Sequence, residues 1–107
     1  MGWPSKLELL ILRLLIGGGE SYGLALVKAS DGALKRGTVY VTLGRMEEKG
    51  LVLSRQEDVT PEHIGIPRRL YKVTGLGERA LQAVEHGEAL MRGSMAPPLS
   101  AGRPVLT

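Results

Sequence analysis

Apolar residues follow one another almost without interruption from Leu7 to Ile16. Just before them, Ser5-Lys6-Leu7-Glu8 has the form of a capping box, in which the side chains of Ser5 and Glu8 each bond the other's backbone N–H. The pattern predicts a first helix over about residues 6–16, ended by three glycines at 17–19. One apolar stripe is enough for a helix in a small domain, so the surplus suggests that a second face is covered, for instance by another subunit.

Two shorter helices are predicted next. The second begins near Ser21, a candidate N-cap, runs through Tyr22 to Ala29 and ends at Asp31-Gly32. The third begins at 35–37 and ends at Lys49-Gly50, because a basic residue followed by glycine is typical of a helix C-terminus. Its apolar residues have the i, i+4, i+7 spacing of a single buried stripe, which comprises Val39, Leu43 and Met46.

After Gly50 the period changes from helical to alternating. Apolar and polar residues alternate over 51–56 and again over 69–74. A polar stretch from Glu57 to Pro67 separates the two segments and contains the proline and glycine residues that mark turns. The arrangement predicts an antiparallel hairpin with a long polar tip.

A final helix is predicted over about Gly75–Arg92, with Thr74 as its cap. The sequence after Gly93 is rich in small residues and proline, which predicts a disordered tail over 93–107. A chain of 107 residues has room for one small domain, which we assign to residues 1–92. The order helix, helix, helix, hairpin, helix predicts a mostly α winged helix-turn-helix with a small β-hairpin.

The composition predicts an aliphatic core and argues against several kinds of chemical site. The chain has no Phe and no Cys, and its aromatic residues are Trp3, Tyr22, Tyr40 and Tyr71. The absence of Cys excludes disulfides and thiolate chemistry, and it fits a cytoplasmic protein. The two histidines, His63 and His86, lie in unrelated elements, so neither a metal site nor a cofactor is expected.

The sequence contains no set of residues suited to catalysis or to membrane insertion. Glu47 and Glu48 are adjacent on a predicted helix, and neighbours one residue apart do not converge on one point. The glycines at 17–19 lack the lysine and the preceding strand of a phosphate-binding loop. The apolar run at 9–16 resembles a signal peptide, but Arg13 interrupts it and it is too short to cross a bilayer. We therefore expect a protein that is not an enzyme and has no membrane partner.

Positive charge is concentrated in the middle of the chain. The net charge is +3, from 14 Lys+Arg against 11 Asp+Glu, and residues 35–79 hold nine basic and six acidic residues while both flanks are balanced. A local basic surplus attracts polyanions such as DNA, although a charged face is more often only solvated. The third helix is polar on one face and has the dimensions to enter a major groove about 12 Å wide.

Three segments of the chain carry distinctive motifs in a fixed order. They are Ser21-Tyr22-Gly23-Leu24-Ala25-Leu26, GTVYVTLGRMEEKGLV at 37–52 and RRLYKVTGLG at 68–77. They resemble the second helix, the recognition helix and the second wing strand of the PadR family of bacterial transcriptional regulators. The resemblance implies a homodimeric repressor that binds a roughly palindromic operator in double-stranded DNA, with helix 35–49 in the major groove and the wing at 57–68 beside it. It also implies dimerisation through the first and last helices.

The candidate DNA contacts lie on the second helix, the third helix and the wing: Tyr22, Lys35, Arg36, Thr38, Tyr40, Val41, Arg45, Arg68 and Arg69. Tyr40 either donates to a phosphate or packs against the wing, and Thr38 either contacts phosphate or caps its helix. Arg45 either reaches phosphate or pairs with Glu48 on a solvated face.

Two further candidates have structural alternatives of their own. Tyr22 either holds a phosphate or packs in the core. Arg69 either contacts DNA or turns inward beside Tyr71, which we interpret as a core residue or a support of the wing. The candidate dimer interface comprises Leu9, Leu12, Ile16, Ala80, Val84 and Met91.

The sequence departs from the resemblance at three positions. Val41 stands where many relatives carry proline, Lys35 stands near the position where many relatives carry a serine that would cap the helix, and Ile66 replaces an arginine in the wing turn. These departures permit a rival hypothesis, a winged-helix protein-interaction module that does not bind DNA. A small-molecule effector, and a role for Trp3 in a ligand site, are left open.

Overall fold

The computed structural model describes residues 4–58, 62, 65 and 67–95, and side chains as far as residue 91. The elements in chain order are α1 (Lys6–Gly18), β1 (Ser21–Tyr22), α2 (Gly23–Ala29), α3 (Arg36–Glu48), β2 (Val52–Gln56), β3 (Arg69–Val73) and α4 (Gly75–Met95). The strands form one antiparallel sheet in the order β1-β3-β2. The predicted fold class, a mostly α winged helix with a small β-hairpin, is confirmed, with β1 as an additional third strand.

The core is aliphatic, as the composition predicts. It lies between α1, α2, α3 and the sheet, and its fully buried side chains include Ile11, Leu12, Leu15, Leu26, Leu34, Val39, Leu43, Met46, Leu51 and Val52. Tyr71 of β3 is the one aromatic ring that is buried among the described residues. The predicted stripe on the third helix is confirmed and gives that helix a fixed orientation against the core.

The prediction that Ser21 caps the second helix is wrong. Ser21 and Tyr22 are extended and pair with Tyr71 and Leu70 of β3. Helix α2 begins one residue later, after Tyr22, whose side chain makes no capping hydrogen bond. Strand β1 therefore stands where the cap was predicted, because Ser21 and Tyr22 are extended and paired with β3.

Two helices are longer than the sequence predicts. Helix α1 continues to Gly18, past the predicted end at Ile16. Helix α4 continues to Met95, so residues 93–95, which we assigned to the tail, are helical. The rest of the predicted tail, 96–107, lies outside the described residues, as do Trp3, His63 and Ile66.

The predicted capping box at the start of α1 is confirmed, and it has an additional partner. The backbone N–H of Ser5 donates to Glu8 Oε1 at 2.8 Å, and the N–H of Glu8 donates to Ser5 Oγ at 3.2 Å. The ammonium group of Lys49 donates to both oxygens of Glu8, at 2.8 and 3.0 Å. Glu8 is only 2% exposed. Lys49 is the residue that ends α3, so this ion pair joins the first turn of α1 to the end of α3.

Thr74 caps α4, as the sequence predicts, and also joins it to the turn after α3. Its Oγ1 accepts a hydrogen bond from the N–H of Gly77 at 3.0 Å and donates to the carbonyl of Gly50 at 2.6 Å. Gly77 has to be glycine here, because a Cβ at this position would overlap the carbonyl oxygen of Leu51. The backbone of α4 therefore packs directly against the start of β2.

We expect Lys49→Met to lower the free energy of unfolding by about 2 kcal/mol, because the variant leaves the buried Glu8 carboxylate without its cation. Urea unfolding measures the change. Lys6→Met is the matched control, since Lys6 is an exposed lysine on the same turn of α1 as Glu8. It should change the free energy of unfolding by less than about 0.5 kcal/mol. Equal effects of the two variants would show that the pair contributes nothing.

Candidate nucleic-acid interface

Helix α3 has one buried face and one exposed face. The buried face comprises Val39, Thr42, Leu43 and Met46. At 100° per residue, Val41, Gly44 and Glu48 point away from that stripe, and Tyr40 lies at its margin. Tyr40 is 48% exposed and Val41 is 55% exposed. The core thus holds α3 so that this second face is open to a partner.

Basic side chains lie near both ends of the exposed face. Lys35 and Arg36 are exposed at the N-terminus of α3, and Arg45 is exposed in its last turn. Among the described residues Arg45 forms no ion pair, so the alternative in which it pairs with Glu48 is not seen. The exposed face therefore has exposed cationic side chains near both of its ends.

The N-terminus of α3 has no side-chain cap. Lys35 occupies the N-cap position and supplies no acceptor, as its chemistry predicts. Thr38 does not replace it, because its hydroxyl donates to the carbonyl of Lys35 at 3.2 Å. The first N–H groups of α3 are therefore not satisfied by a capping side chain.

Tyr40 packs on Gly23 of α2. A Cβ added to Gly23 would lie 2.5 Å from Cε1 of the Tyr40 ring and 2.9 Å from its hydroxyl oxygen. The ring therefore needs glycine directly after Tyr22, which explains the Tyr-Gly pair in physical terms. The other face of Tyr40 stays exposed, so packing and contact with a partner are compatible.

Tyr22 and Arg68 form a stacked pair at the base of the wing. The guanidinium carbon of Arg68 lies 4.2 Å from the centre of the Tyr22 ring, a cation–π geometry. Arg68 also donates to Glu57 at 3.2 and 3.3 Å across the hairpin. These hydrogen bonds are the main reason that the pKa of Arg68 is raised above its ordinary value. Tyr22 is half-buried and supports an arginine, so it is not a core residue.

A cleft of about 390 Å³ separates α2, the start of α3 and the wing. Its walls combine apolar and basic side chains, and they are formed by Tyr22, Leu24, Val27, Lys28, Arg36 and Arg68. Sequence reasoning missed Lys28, because a lysine in the last turn of a helix is adequately explained by the helix dipole. Only the fold brings it beside Arg36 and Arg68.

Arg69 is exposed, so the alternative in which it turns inward is not seen; it lies on the same face of the sheet as Tyr71. Its Nη1 donates to Ser54 Oγ at 3.0 Å, and Ser54 Oγ donates to Glu47 Oε2 of α3 at 2.7 Å. Burial raises the pKa of the neighbouring Tyr71 phenol, with a smaller contribution from the charge of Glu47. The chain of hydrogen bonds joins the wing to α3.

Arg55 is a basic residue of the wing that the predicted set omitted. Its guanidinium binds Glu20 through two hydrogen bonds, of 2.7 and 2.8 Å. The pair holds the pKa of Glu20 below its ordinary value. Arg55 thus fixes the outer strand β2 to the turn that precedes β1.

Leu12 does not belong to the dimer surface that the sequence predicts. It is fully buried in the core of its own chain, so it has no area left for a partner. Leu9, Ala80 and Val84 are half-buried, and Ile16 and Met91 are exposed. These five residues stay a prediction. Leu12 was misassigned because α1 is apolar all round. The sequence of such a helix does not show which residues face the core and which face a second subunit.

The described residues contain no group of three or more His, Asp or Glu side chains that could hold a metal ion. None of the described helices is both long enough and apolar enough to cross a membrane.

The family assignment rests on a match over most of the folded part. The model of the transcriptional regulator PadR-like family matches residues 11–83, which span α1 to α4 and include the whole interface described above. This chain belongs to the PadR-like family. The predicted resemblance is confirmed, and the family identifies a DNA-binding transcriptional regulator and not an enzyme. No curated protein matches the chain significantly.

Solved PadR structures share the fold. A PadR family regulator from hypervirulent Clostridium difficile has 26% identity and a TM-score of 0.70, over 85% of this chain and 95% of that one. A PadR family regulator from Eggerthella lenta has 28% identity and a TM-score of 0.67, over 90% and 83%. Bacillus subtilis PadR in complex with operator DNA has 19% identity and a TM-score of 0.64, over 94% of this chain and 50% of that one, and it is a likeness of fold alone.

A matched pair of glycine substitutions tests the packing of Tyr40. Gly44 lies on the exposed face of α3 with no atom within 4 Å of an added Cβ, so Gly44→Ala should raise the free energy of unfolding by about 0.5–1 kcal/mol. Gly23→Ala should bring no such gain, because the new methyl group displaces the Tyr40 ring. Urea unfolding gives both values, and an equal gain in the two variants would contradict the described position of Tyr40.

Proposed function

We propose that this PadR-like protein acts in the cytoplasm as a homodimeric repressor that places α3 in the major groove of its operator and the wing on the adjacent backbone. The observation that supports this best is the exposed face of α3, which lies opposite the buried stripe and has basic residues at both ends. A helix held by one face and open on the other has the form of a recognition helix.

Affinity in this proposal comes from phosphates, and sequence choice comes from α3. Lys35 and Arg36 would contact the backbone at the entry of the helix. Lys28 and Arg68 border the same cleft as Arg36, so three cations from three elements would neutralise neighbouring phosphates. Each neutralised phosphate releases counterions, which makes the affinity fall as salt rises. The stacking of Arg68 on Tyr22 fixes the position of that guanidinium in the free protein.

The experiment is a selection of double-stranded DNA from a random-sequence library, followed by fluorescence anisotropy with the selected duplex. We expect a specific dissociation constant of about 10⁻⁸ M or tighter at physiological salt. Failure to select any specific duplex would refute the proposal and favour the protein-interaction module.

Charge reversal tests which residues hold the phosphates. Arg36→Glu and Arg68→Glu should each weaken binding at least about tenfold and make it less dependent on salt. Arg79→Glu on α4 is the matched control and should leave the affinity within about twofold. If the two interface variants bind as well as the control, the basic cleft is not part of the DNA contact.

Helix α4 offers the surface for the second protomer. Ala83, Val84 and Gly87 line an apolar groove of about 310 Å³ together with Pro4. Further along the same helix, Leu90 and Met91 are 60% and 66% exposed. An apolar strip of this kind on a small protein is typical of an interface between subunits. Two recognition helices in such a dimer would meet half-sites about 34 Å apart, one turn of DNA.

We expect Ala83→Glu to reduce the solution mass from twice the 11.5 kDa chain mass to a single chain, because it buries a charge in the apolar groove. Light scattering after size exclusion measures the mass. Gln82→Glu adds the same charge on the side of α4 that points away from the groove, and it should leave the dimer intact. A monomeric wild type would contradict the dimer proposal.

Release from DNA would follow when an effector changes the spacing of the two α3 helices. The two protomers could then no longer occupy their half-sites at the same time. A small molecule is one such effector.

A further inference from the structure

Val41 is an exposed apolar residue on a helix that is otherwise polar outside its core stripe. Its side chain is 55% exposed, and it points away from Val39, Leu43 and Met46. Nothing in the chain's own core requires a branched apolar side chain at this position. Valine is also a weaker helix former than the long polar residues common on exposed helix faces.

Two glycines flank Val41 on the same face of α3. Gly37 precedes it by four residues and Gly44 follows it by three, and residues at these spacings are neighbours on a helix surface. Glycine is among the least favourable residues inside a helix. A Cβ added at either glycine would have no atom within 4 Å, so the fold of the chain explains neither of them. A surface outside the chain that approaches the α3 backbone closely would explain both.

We propose that Val41 determines specificity by packing against the 5-methyl group of a thymine, while Gly37 and Gly44 let the helix backbone approach the base edges. The inference rests on the proposed function, in which α3 occupies the major groove. Of the four bases only thymine presents a methyl group there, and an isopropyl side chain can contact it but cannot hydrogen-bond to any base. The basic residues near both ends of α3 favour DNA over an apolar protein partner.

Tyr40 is the other large hydrophobic residue exposed on α3, and it is less suited to this role. Its ring is packed on Gly23, at the margin of the exposed face. Val41 projects from the centre of that face with a glycine on either side. The side chain that reaches deepest into a groove is therefore that of Val41.

The test changes the DNA and leaves the protein intact. A specific duplex is selected with the full chain, and each thymine is then replaced by deoxyuridine, which lacks only the methyl group. We expect one thymine in each half-site to respond, with an affinity loss of about fourfold per half-site. All other replacements should change the affinity by less than about twofold.

Two variants assign the response to Val41. Val41→Ala should bind the thymine duplex roughly tenfold more weakly, and it should no longer distinguish thymine from deoxyuridine at the responding position. Leu53→Ala is the matched control, because Leu53 is an apolar residue with the same exposed fraction of 55%, in β2 opposite Lys72. It should keep the full response to deoxyuridine.

The outcomes separate this inference from the proposed function. If a specific duplex is selected but no thymine responds, or if Val41→Ala keeps the full response, the methyl contact is refuted and DNA binding by the protein stands. If no specific duplex is selected, the proposed function fails and this inference fails with it.

Discussion

The orientation of α3 is the constraint on which the rest of the molecule depends. Val39, Leu43 and Met46 are completely buried, and they fix which side of the helix faces the core. Once that side is fixed, Tyr40, Val41 and Gly44 have to face outward, because a helix repeats every 3.6 residues. A rotation of α3 would bury Val41 and bring the basic residues out of position, so the buried stripe is also what determines the interface.

Contacts near both ends hold α3 in this orientation. At its C-terminal end Lys49 reaches the buried carboxylate of Glu8, and Thr74 binds the carbonyl of Gly50 in the following turn. Near its N-terminal end the Tyr40 ring lies on Gly23. Each contact connects α3 to a different element, namely α1, α4 and α2. Helix α3 is thus held by three other elements, so under the proposed function its DNA contacts would depend on residues far from DNA.

The elements with a regular period could be predicted from the sequence. The stripe of α3, the capping box of α1 and the hairpin all follow local rules that act within a few residues. Ser21 was assigned wrongly because strand β3, which pairs with it, is 50 residues away. Leu12 was assigned to an interface because periodicity cannot choose between two apolar faces of one helix. The cleft with Lys28 and the stacking of Arg68 on Tyr22 depend on tertiary placement, so no local pattern contains them.

We propose that the outward face of α3 is the surface that meets DNA, and amide chemical-shift mapping of the complex tests this proposal. The spectrum of the isotope-labelled protein is recorded with and without the selected duplex. We expect the largest shifts at the exposed residues of α3, with further shifts at Tyr22 and along β3 near Arg68. Large shifts confined to α1 and α4, with α3 unchanged, would contradict it.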